Sequence, residues 1–329
     1  MLKTLLHPHK RTLLIYSVVI IVIVGGMVYL ARQVINTPWT SRSWISTAAI
    51  GEKIYILGGQ DTRRGLLDEV LQMNLTTRTF EVALNLPQPA CCLSTVVHEG
   101  LIYALGGQGK EGYIDDVVLV NPSSNASRVV ARLPSPRAYG GAAAASGRLY
   151  YIGGWDGEKR LDEIVEIDPD SGESRIVGQL PTPIEFPTAM GKGSVLFIFG
   201  GEDETLTLSA DVLRFDTESL ETTTVGALAK PVIRAACTYL DGQFYLLGGW
   251  NRKPQTEVQR VKLDEESFGA EVIATLPEPA ADRSAVATFG RLYLIGGINP
   301  SFKRQIGVLE IDPATWTMNH LRFRGGFIR

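Results

Sequence analysis

The sequence predicts an all-β fold, a six-bladed β-propeller, preceded by one transmembrane helix near the N-terminus. Two observations carry this prediction: a glycine doublet recurs six times at steps of 47 or 48 residues, and a long uncharged segment precedes the first repeat. A period near 50 residues with a diglycine signature is typical of propellers built from four-stranded blades. The doublets are Gly58-Gly59, Gly106-Gly107, Gly153-Gly154, Gly200-Gly201, Gly248-Gly249 and Gly296-Gly297.

The segment Thr12–Ala31 contains no charged residue and is almost wholly apolar. Twenty helical residues span about 30 Å, the thickness of a bilayer core. A cleavable signal peptide is the alternative, but its apolar region covers only about 7–15 residues. The longer run therefore favours an uncleaved anchor. Residues 1–11 are basic without any acidic residue, which predicts a cytoplasmic N-terminus and a propeller outside the cytoplasm. Its compartment would be the periplasm if the organism is bacterial, and otherwise the cell exterior or an equivalent lumen.

The remaining chain divides into a linker at 32–41, one propeller domain at 42–323 and a tail at 324–329, because the repeats show no composition break. The net charge of -3 and the pI near 5.9 argue against nucleic-acid binding, which needs a concentrated basic face. The linker reaches at most about 35 Å when extended. We therefore expect the face where the chain enters the first blade to lie near the bilayer.

Within each repeat, a glycine six or seven residues before the doublet predicts a tight turn between the first two strands. The second strand is a short apolar run, as expected for strands buried between neighbouring blades. Each run carries an aromatic residue three positions before its doublet: Tyr55, Tyr103, Tyr150, Phe197, Tyr245 and Tyr293.

The third strand is expected to end 15 or 16 residues after the doublet, where an Asn or Asp can open a turn. These turn residues are Asn74, Asn121, Asp168, Asp216, Asp264 and Asp312. A fourth strand follows, and a Leu-Pro element leads towards the next repeat in four places. Each repeat contains its four strands in order, so no strand exchange between the chain ends is expected. Ring closure is expected from packing of the last blade on the first, helped by the tail Gly325–Arg329.

This pattern resembles the kelch-repeat family: an apolar-Tyr-x-x-Gly-Gly strand, an Asn or Asp turn and a Pro-Arg entry to the next repeat. The resemblance extends over residues 42–323 and implies a β-propeller, most often one that offers a binding surface. Kelch repeats usually carry a tryptophan near the start of the fourth strand. Here only Trp316 occupies that position, with Phe80 as a partial substitute.

The three cysteines are expected in first strands, Cys91 and Cys92 in the second blade and Cys237 in the fifth. Those blades would face each other across the channel, too far apart for a disulfide, which needs Cα atoms within about 7 Å. Buried small apolar side chains are the favoured interpretation.

The blade entries and the loops after the doublets should converge on one face of the propeller, because the first strand starts where the second strand ends. The residues directly after the doublets are Gln60, Gln108, Trp155, Glu202, Trp250 and Ile298. The entries add four arginines, Arg42, Arg137, Arg234 and Arg283, while blades two and four have Ala90 and Ile184 there.

Guanidinium groups at this face would match the planar geometry of carboxylate ligands, and Trp155 and Trp250 would add stacking area. The alternative is structural: arginines at kelch blade entries commonly pair with neighbouring carboxylates or backbone carbonyls to hold blades together. Both interpretations of Arg42, Arg137, Arg234 and Arg283 remain open at this point.

No catalytic residue, metal site or cofactor is predicted, since His98 and His320 lack metal-ligand spacing and every doublet ends a strand. The leading hypothesis is a non-catalytic interaction or structural subunit of a membrane complex, anchored in the lipid bilayer through residues 12–31. The alternative is a sugar-binding or sugar-epimerising protein that resembles the sialic acid mutarotases with kelch propellers. Glu202 matches the acidic position of the motif in those proteins, but the residue six positions on is Leu208 rather than Arg.

Overall fold

The computed structural model describes residues 42–61, 64–263, 268–298 and 307–325, and all of them belong to one compact unit of the chain. These residues form strands and turns, and none of their segments is a helix long and apolar enough to cross a membrane. The predicted transmembrane segment Thr12–Ala31 and the linker 32–41 lie outside the described residues.

Six sheets follow one another along the described residues, and each is built on four antiparallel strands. The first sheet has a fifth, parallel strand from the C-terminal end of the chain. The first sheet comprises Ser46–Ile50, Lys53–Leu57, Glu69–Asn74 and Thr79–Asn85. The second comprises Ser94–His98, Leu101–Leu105, Asp116–Asn121 and Ala126–Arg132. The third comprises Gly141–Ala145, Arg148–Ile152, Glu163–Ile167 and Ser174–Gln179.

The fourth sheet comprises Thr188–Lys192, Val195–Phe199, Asp211–Asp216 and Thr222–Ala227. The fifth comprises Ala236–Leu240, Gln243–Leu247, Gln255–Leu263 and Phe268–Ala280. The sixth comprises Ser284–Thr288, Arg291–Ile295, Val308–Asp312 and Thr317–Leu321. This arrangement is an all-β propeller, as the repeat predicts.

Each doublet directly follows a second strand, and the second strands form the most buried layer of every sheet. The six aromatic residues that precede the doublets are buried, with at most 8% of their surface exposed. The third strands end at or beside the predicted Asn and Asp residues in the five sheets where that residue is described. Asp264 lies outside the described residues.

The apolar core consists of layers between neighbouring sheets. Residues of the third and fourth sheets, for example Tyr150 and Phe215, share one cluster. Equivalent clusters lie between the other consecutive sheets, and one joins the sixth sheet to the first through Tyr293 and Ile54. Burial of these side chains supplies the main stabilisation, about 1.5–3 kcal/mol for each large apolar side chain.

The turns between first and second strands explain the glycines found in the sequence. In the turn Glu99-Gly100 both residues have positive φ, 50° and 74°. This is the geometry of a type I′ turn, whose twist matches that of the two strands, and Gly adopts it without steric cost. The first turn residue is Phe289 in the sixth sheet, where the aromatic ring is 67% exposed.

The two ends of the propeller sequence are joined in three ways. The segment Arg324–Gly325 adds a short parallel strand to Thr79–Phe80, at the outer edge of the first sheet. The hydroxyls of Thr47 and Ser284 lie 2.6 Å apart, and the Thr288 hydroxyl donates to the Gly51 carbonyl over 2.7 Å. The four-stranded order of each sheet needs no exchanged strand, and the described part of the tail pairs with the first sheet.

One predicted position is wrong. Cys91 and Cys92 precede the first strand of the second sheet, which begins at Ser94. Cys91 instead pairs with Gln108 through its backbone, and the φ of +57° at Cys92 interrupts any extended strand at this point. Cys237 lies in the first strand of the fifth sheet, as predicted.

Candidate functional site

The entry segments, which connect the fourth strand of one sheet to the first strand of the next, lie beside the hairpins that follow the doublets. Cys91 and Gln108 exchange two backbone hydrogen bonds of 3.0 and 2.8 Å, and Ala138 and Trp155 do the same. Corresponding pairs occur at all six sheets in the described part of the chain. The entries and the loops after the doublets therefore lie on the same face of the propeller. The pairs are Ser43–Gln60, Cys91–Gln108, Ala138–Trp155, Glu185–Glu202, Ile233–Trp250 and Ala281–Ile298.

Six equivalent entry residues surround one end of the central channel, each fourteen positions before its doublet. All six are non-glycine residues with φ between +53° and +61°, a conformation that L residues rarely adopt. We call this set the mouth ring; its members are Trp44, Cys92, Tyr139, Phe186, Arg234 and Asp282.

The side chains of the mouth ring contact one another across the channel. Arg234 makes a bidentate ion pair with Asp282, and its guanidinium carbon lies 4.5 Å from the centre of the Trp44 ring and 5.7 Å from that of Phe186. Tyr139 packs against Phe186 with ring centres 5.0 Å apart. Burial raises the pKa of Asp282, and the Arg234 guanidinium acts in the opposite direction.

A cavity of about 170 Å³ lies at the mouth ring, and Arg283, Ser94 and Thr188 add to its wall. A larger space of about 450 Å³ follows the first strands of all six sheets and is lined mainly by small residues such as Ala143, Gly191 and Thr238. The mouth ring thus surrounds one end of a channel that is lined by small side chains, some of which carry hydroxyl groups.

Arg42 and Arg137 lie away from this ring, two positions earlier in their entries. Their side chains are 2% and 1% exposed. Arg42 pairs with Glu69 and donates to the Gly58 carbonyl over 3.3 Å. The Arg137 Nη1 lies 2.7 Å from the Glu163 carboxylate. Both guanidinium groups therefore tie the entry of a sheet to its own third strand.

Arg283 occupies a third kind of position, thirteen residues before its doublet. Its aliphatic stem covers Gly297 so closely that a Cβ there would lie 2.3 Å from the Arg283 Cγ. Ile45 and Leu93 cover Gly59 and Gly107 in the same way in the first two sheets. The four predicted arginines are therefore not equivalent, because they occupy three different positions in their entries.

Sequence reasoning missed Arg160, which forms a second polar cluster on the same face. Its Nη2 lies 2.8 Å from the Glu185 carboxylate and 3.2 Å from that of Glu202, and its guanidinium carbon is 6.0 Å from the ring of Trp155. The three charged side chains are at most 18% exposed, and burial raises the pKa of Glu185. Arg160 pairs with Trp155 through the backbone, on the second side of the hairpin that follows the third doublet. A search of both sides of these hairpins for charged residues would have identified it.

Two further predicted residues, Gln108 and Trp250, contact members of the mouth ring. Gln108 accepts a hydrogen bond from the Tyr139 hydroxyl over 3.3 Å, and the Trp250 ring lies 5.6 Å from the guanidinium carbon of Arg234. Gln60 is half-buried and pairs with Ser43 in a small sheet formed by Arg42–Ser43, Gln60–Asp61 and Gly65–Leu66. A second small hairpin joins Gln108–Gly109 to Gly112–Tyr113.

Over the described ranges, no group of three or more His, Cys, Asp or Glu residues is placed to hold a metal ion. The thiols of Cys91 and Cys92 form a close pair, with sulfur atoms 3.2 Å apart. The contact with Cys91 raises the pKa of Cys92, and burial acts in the same direction.

Comparison with known proteins agrees with the repeat pattern. Residues 21–177 match the family model described as the KLHDC2/KLHL20/DRC7 Kelch-repeats domain. Over this segment the repeats are kelch repeats. No curated protein matches the chain. The propeller is similar to a solved structure titled "Structure of YjhT", with a TM-score of 0.72, 14% sequence identity and coverage of 86% of this chain and 99% of that one. At this identity the likeness concerns the fold alone.

Proposed function

We propose that this chain is a single-pass membrane protein whose kelch propeller is a complete six-bladed ring outside the cytoplasm and serves as a non-catalytic protein-interaction subunit. The partner binds at the face that carries the mouth ring. The observation that supports this most is the placement of Trp155 and Trp250 on that face. Each indole is half-buried and lies within 6.0 Å of a guanidinium carbon.

Aromatic and arginine side chains supply most of the binding energy at protein interfaces, chiefly where neighbouring contacts exclude water. Arg160 and Arg234 hold the two indoles in fixed surroundings, so little side-chain entropy is lost when a partner binds. Leu206, which is 56% exposed, lies in the hairpin after the fourth doublet and adds apolar surface to this face. Its φ of +62° is unusual for a leucine.

The six-bladed ring is supported by the apolar cluster that links the sixth sheet to the first and by the pairing of Arg324–Gly325 with the first sheet. The membrane anchor rests on the uncharged segment Thr12–Ala31. A reporter that is active only outside the cytoplasm, fused after Arg329, should be active. The mature protein should retain Met1, whereas a mature N-terminus near Arg32 would contradict the anchor.

The interaction is tested by solubilising the full chain in mild detergent and identifying co-purifying proteins by mass spectrometry. We expect the double variant Trp155→Ala/Trp250→Ala to lose a partner that the wild type retains, since removing an aromatic anchor costs about 2 kcal/mol or more of binding. Phe289→Ala is the matched control, because it removes an exposed aromatic ring from the opposite face. If the double variant keeps every partner at wild-type yield, this face is not the interface.

A second candidate function is binding or epimerisation of a sugar, favoured by the Arg160, Glu185 and Glu202 cluster beside Trp155. The indole face suits stacking of a sugar ring, and the two carboxylates can accept hydrogen bonds from its hydroxyl groups. Anomer exchange of N-acetylneuraminic acid, followed by NMR, tests this candidate. Epimerisation requires acceleration by the wild type and a loss of that acceleration in Glu202→Gln; wild-type exchange at the rate of buffer would exclude epimerisation.

A further inference from the structure

The dipeptide Cys91-Cys92 lies at the channel mouth, in a geometry that strands do not allow. Adjacent side chains of a strand point to opposite faces. Here the φ of +57° at Cys92 turns the second thiol towards the first, and the two sulfur atoms are 3.2 Å apart. The two thiols are already in contact in the reduced protein.

The backbone holds this dipeptide on both sides. Cys91 exchanges two hydrogen bonds with Gln108, and the Cys92 amide donates to the Trp44 carbonyl over 3.1 Å. The position of Cys92 is the mouth-ring position of the second sheet, and its side chain lines the cavity of about 170 Å³. Cys91 is 4% exposed and lies behind it. A small reagent that enters the mouth would therefore reach the sulfur of Cys92 first and that of Cys91 only through it.

The third cysteine provides an internal comparison. Cys237 lies in the first strand of the fifth sheet and lines the channel rather than the mouth. Burial raises its pKa, as the contact with Cys91 and burial do for Cys92, so the protonation state does not distinguish these two thiols. None of the three described cysteines is part of a disulfide in the structure. Cys237 is thus a half-buried thiol of the same chain without an adjacent cysteine in the sequence.

We propose that Cys91 and Cys92 are a redox modification site, a dithiol at the channel mouth that closes to a disulfide between adjacent residues by exchange with a small-molecule disulfide. The sulfur of Cys92 attacks the small disulfide, forms a mixed disulfide and releases one small thiol. The sulfur of Cys91 then attacks Cys92 and releases the second small thiol. Two S–H bonds and one S–S bond break, one protein S–S bond forms, and two electrons and two protons pass to the small thiols.

The spacing of the backbone makes this modification reversible. Adjacent Cα atoms are about 3.8 Å apart across a trans peptide, whereas disulfides usually join Cα atoms about 4.4–6.8 Å apart. The closed form is therefore strained and is reduced more easily than a structural disulfide. The oxidation state of such a bond follows the ratio of thiols to disulfides in the surroundings, and its role is not to stabilise the fold. Because Cys92 is part of the mouth ring, closure changes the surface next to Trp44 and Tyr139.

The test uses the full chain incubated with oxidised glutathione, then denatured, alkylated and analysed by peptide mass spectrometry. We expect alkylation to fall from three cysteines to one, Cys237, with the Cys91-Cys92 peptide lighter by two hydrogen atoms and free of glutathione. Dithiothreitol should restore three alkylated cysteines. Cys237→Ser should still close and leave no alkylated cysteine. Cys92→Ser should keep two alkylated cysteines and show no closure.

Either of two results for the monomeric chain would overturn the proposal. One is persistence of three alkylated cysteines in the wild type after oxidation; the other is a glutathione adduct on Cys92 that never converts to the closed form. The wild type and Cys237→Ser leave the mouth ring unchanged, so they decide the question even if Cys92→Ser fails to fold. A dimer linked through Cys92 on a non-reducing gel would also contradict closure within the chain.

Discussion

The guanidinium carbon of Arg234, in the entry to the fifth sheet, lies 4.5 Å above the ring of Trp44, in the entry to the first. The same guanidinium binds the Asp282 carboxylate of the sixth entry in a bidentate ion pair. Three entries that are far apart in the sequence therefore meet in one cluster. A cation over an indole contributes about 0.5–2 kcal/mol, more when water is excluded.

The Arg234–Asp282 pair should stabilise the mouth as a unit. We expect Arg234→Gln and Asp282→Asn each to lower the free energy of unfolding by about 3 kcal/mol, because each leaves a buried partner charge without its counterpart. The double variant should lose less than the sum of the two changes, with a coupling energy of about 1–3 kcal/mol. Urea unfolding measures all three values.

Lys230→Gln, which breaks an exposed pair with Glu257, is the control and should change stability by less than about 1 kcal/mol. Strict additivity would show that the two side chains act independently.

Arg137 should be a structural residue. Its replacement by Gln leaves the largely buried Glu163 carboxylate without its charged partner, and we expect a loss of about 3 kcal/mol in the free energy of unfolding. Arg175→Gln breaks a comparable pair with Glu166 at a side chain that is 74% exposed, and should cost less than about 1 kcal/mol. Thermal unfolding of both variants gives the comparison. Equal melting temperatures for Arg137→Gln and the wild type would show that Arg137 is not a structural residue and would favour a role in recognition.

The doublets should tolerate no side chain at their second position. In Gly154→Ala the new Cβ would lie 2.5 Å from the Ala138 carbonyl oxygen, in addition to the strain of a φ of +96°. We expect a loss of about 3 kcal/mol in the free energy of unfolding. Gly147→Ala, in the same sheet, has a φ of +74° but meets nothing within 4 Å, so it should cost only about 1–2 kcal/mol. Equal losses in the two variants would show that backbone strain alone requires the doublet.

Asp216 should contribute to stability only above acidic pH. Backbone amides of Ser219 and Glu218 lower the pKa of its carboxyl from 3.8 to about 2, and the Arg214 guanidinium adds to this effect. Because the pKa is lower in the folded protein, the contribution is complete above about 3.8 and is lost as the pH falls through about 2. Asp216→Asn should therefore melt below the wild type at pH 7, and the difference should shrink as the pH approaches about 2 and vanish below it. Asn74 and Asn121 occupy equivalent turns, so the variant should keep its turn. A difference in melting temperature that stays constant with pH would contradict this assignment.

The short strand Arg324–Gly325 should help to close the propeller. A chain that stops after Phe323 loses the pairing with Thr79–Phe80, and we expect its free energy of unfolding to fall by about 1 kcal/mol, or roughly 2 °C in melting temperature. A chain that stops after Gly325 keeps this strand and is the matched control. If both truncated chains melt with the wild type, closure does not depend on the strand.

The sequence by itself determined the repeat, the strand order and the glycine turns. These features are local: the alternation of turns and apolar runs recurs every 47 or 48 residues, and positive φ values can be read from glycines such as Gly100 and Gly154. The burial of the aromatic residues before the doublets follows from the same pattern. The prediction that Cys91 and Cys92 lie in a strand was wrong because Cys92 has a positive φ, and a positive φ at a residue other than glycine cannot be read from the sequence.

The tertiary structure decided the arrangement of the candidate site. The mouth ring takes one residue from each entry, and its six members share a backbone conformation but no side-chain chemistry, so no motif marks them. Arg42 and Arg234 look equivalent in the sequence, yet a shift of two positions buries the first against Glu69 and places the second at the channel mouth. Arg160 reaches Glu202 in the next sheet. Such contacts form only when the sheets pack side by side, because the residues that meet belong to different repeats.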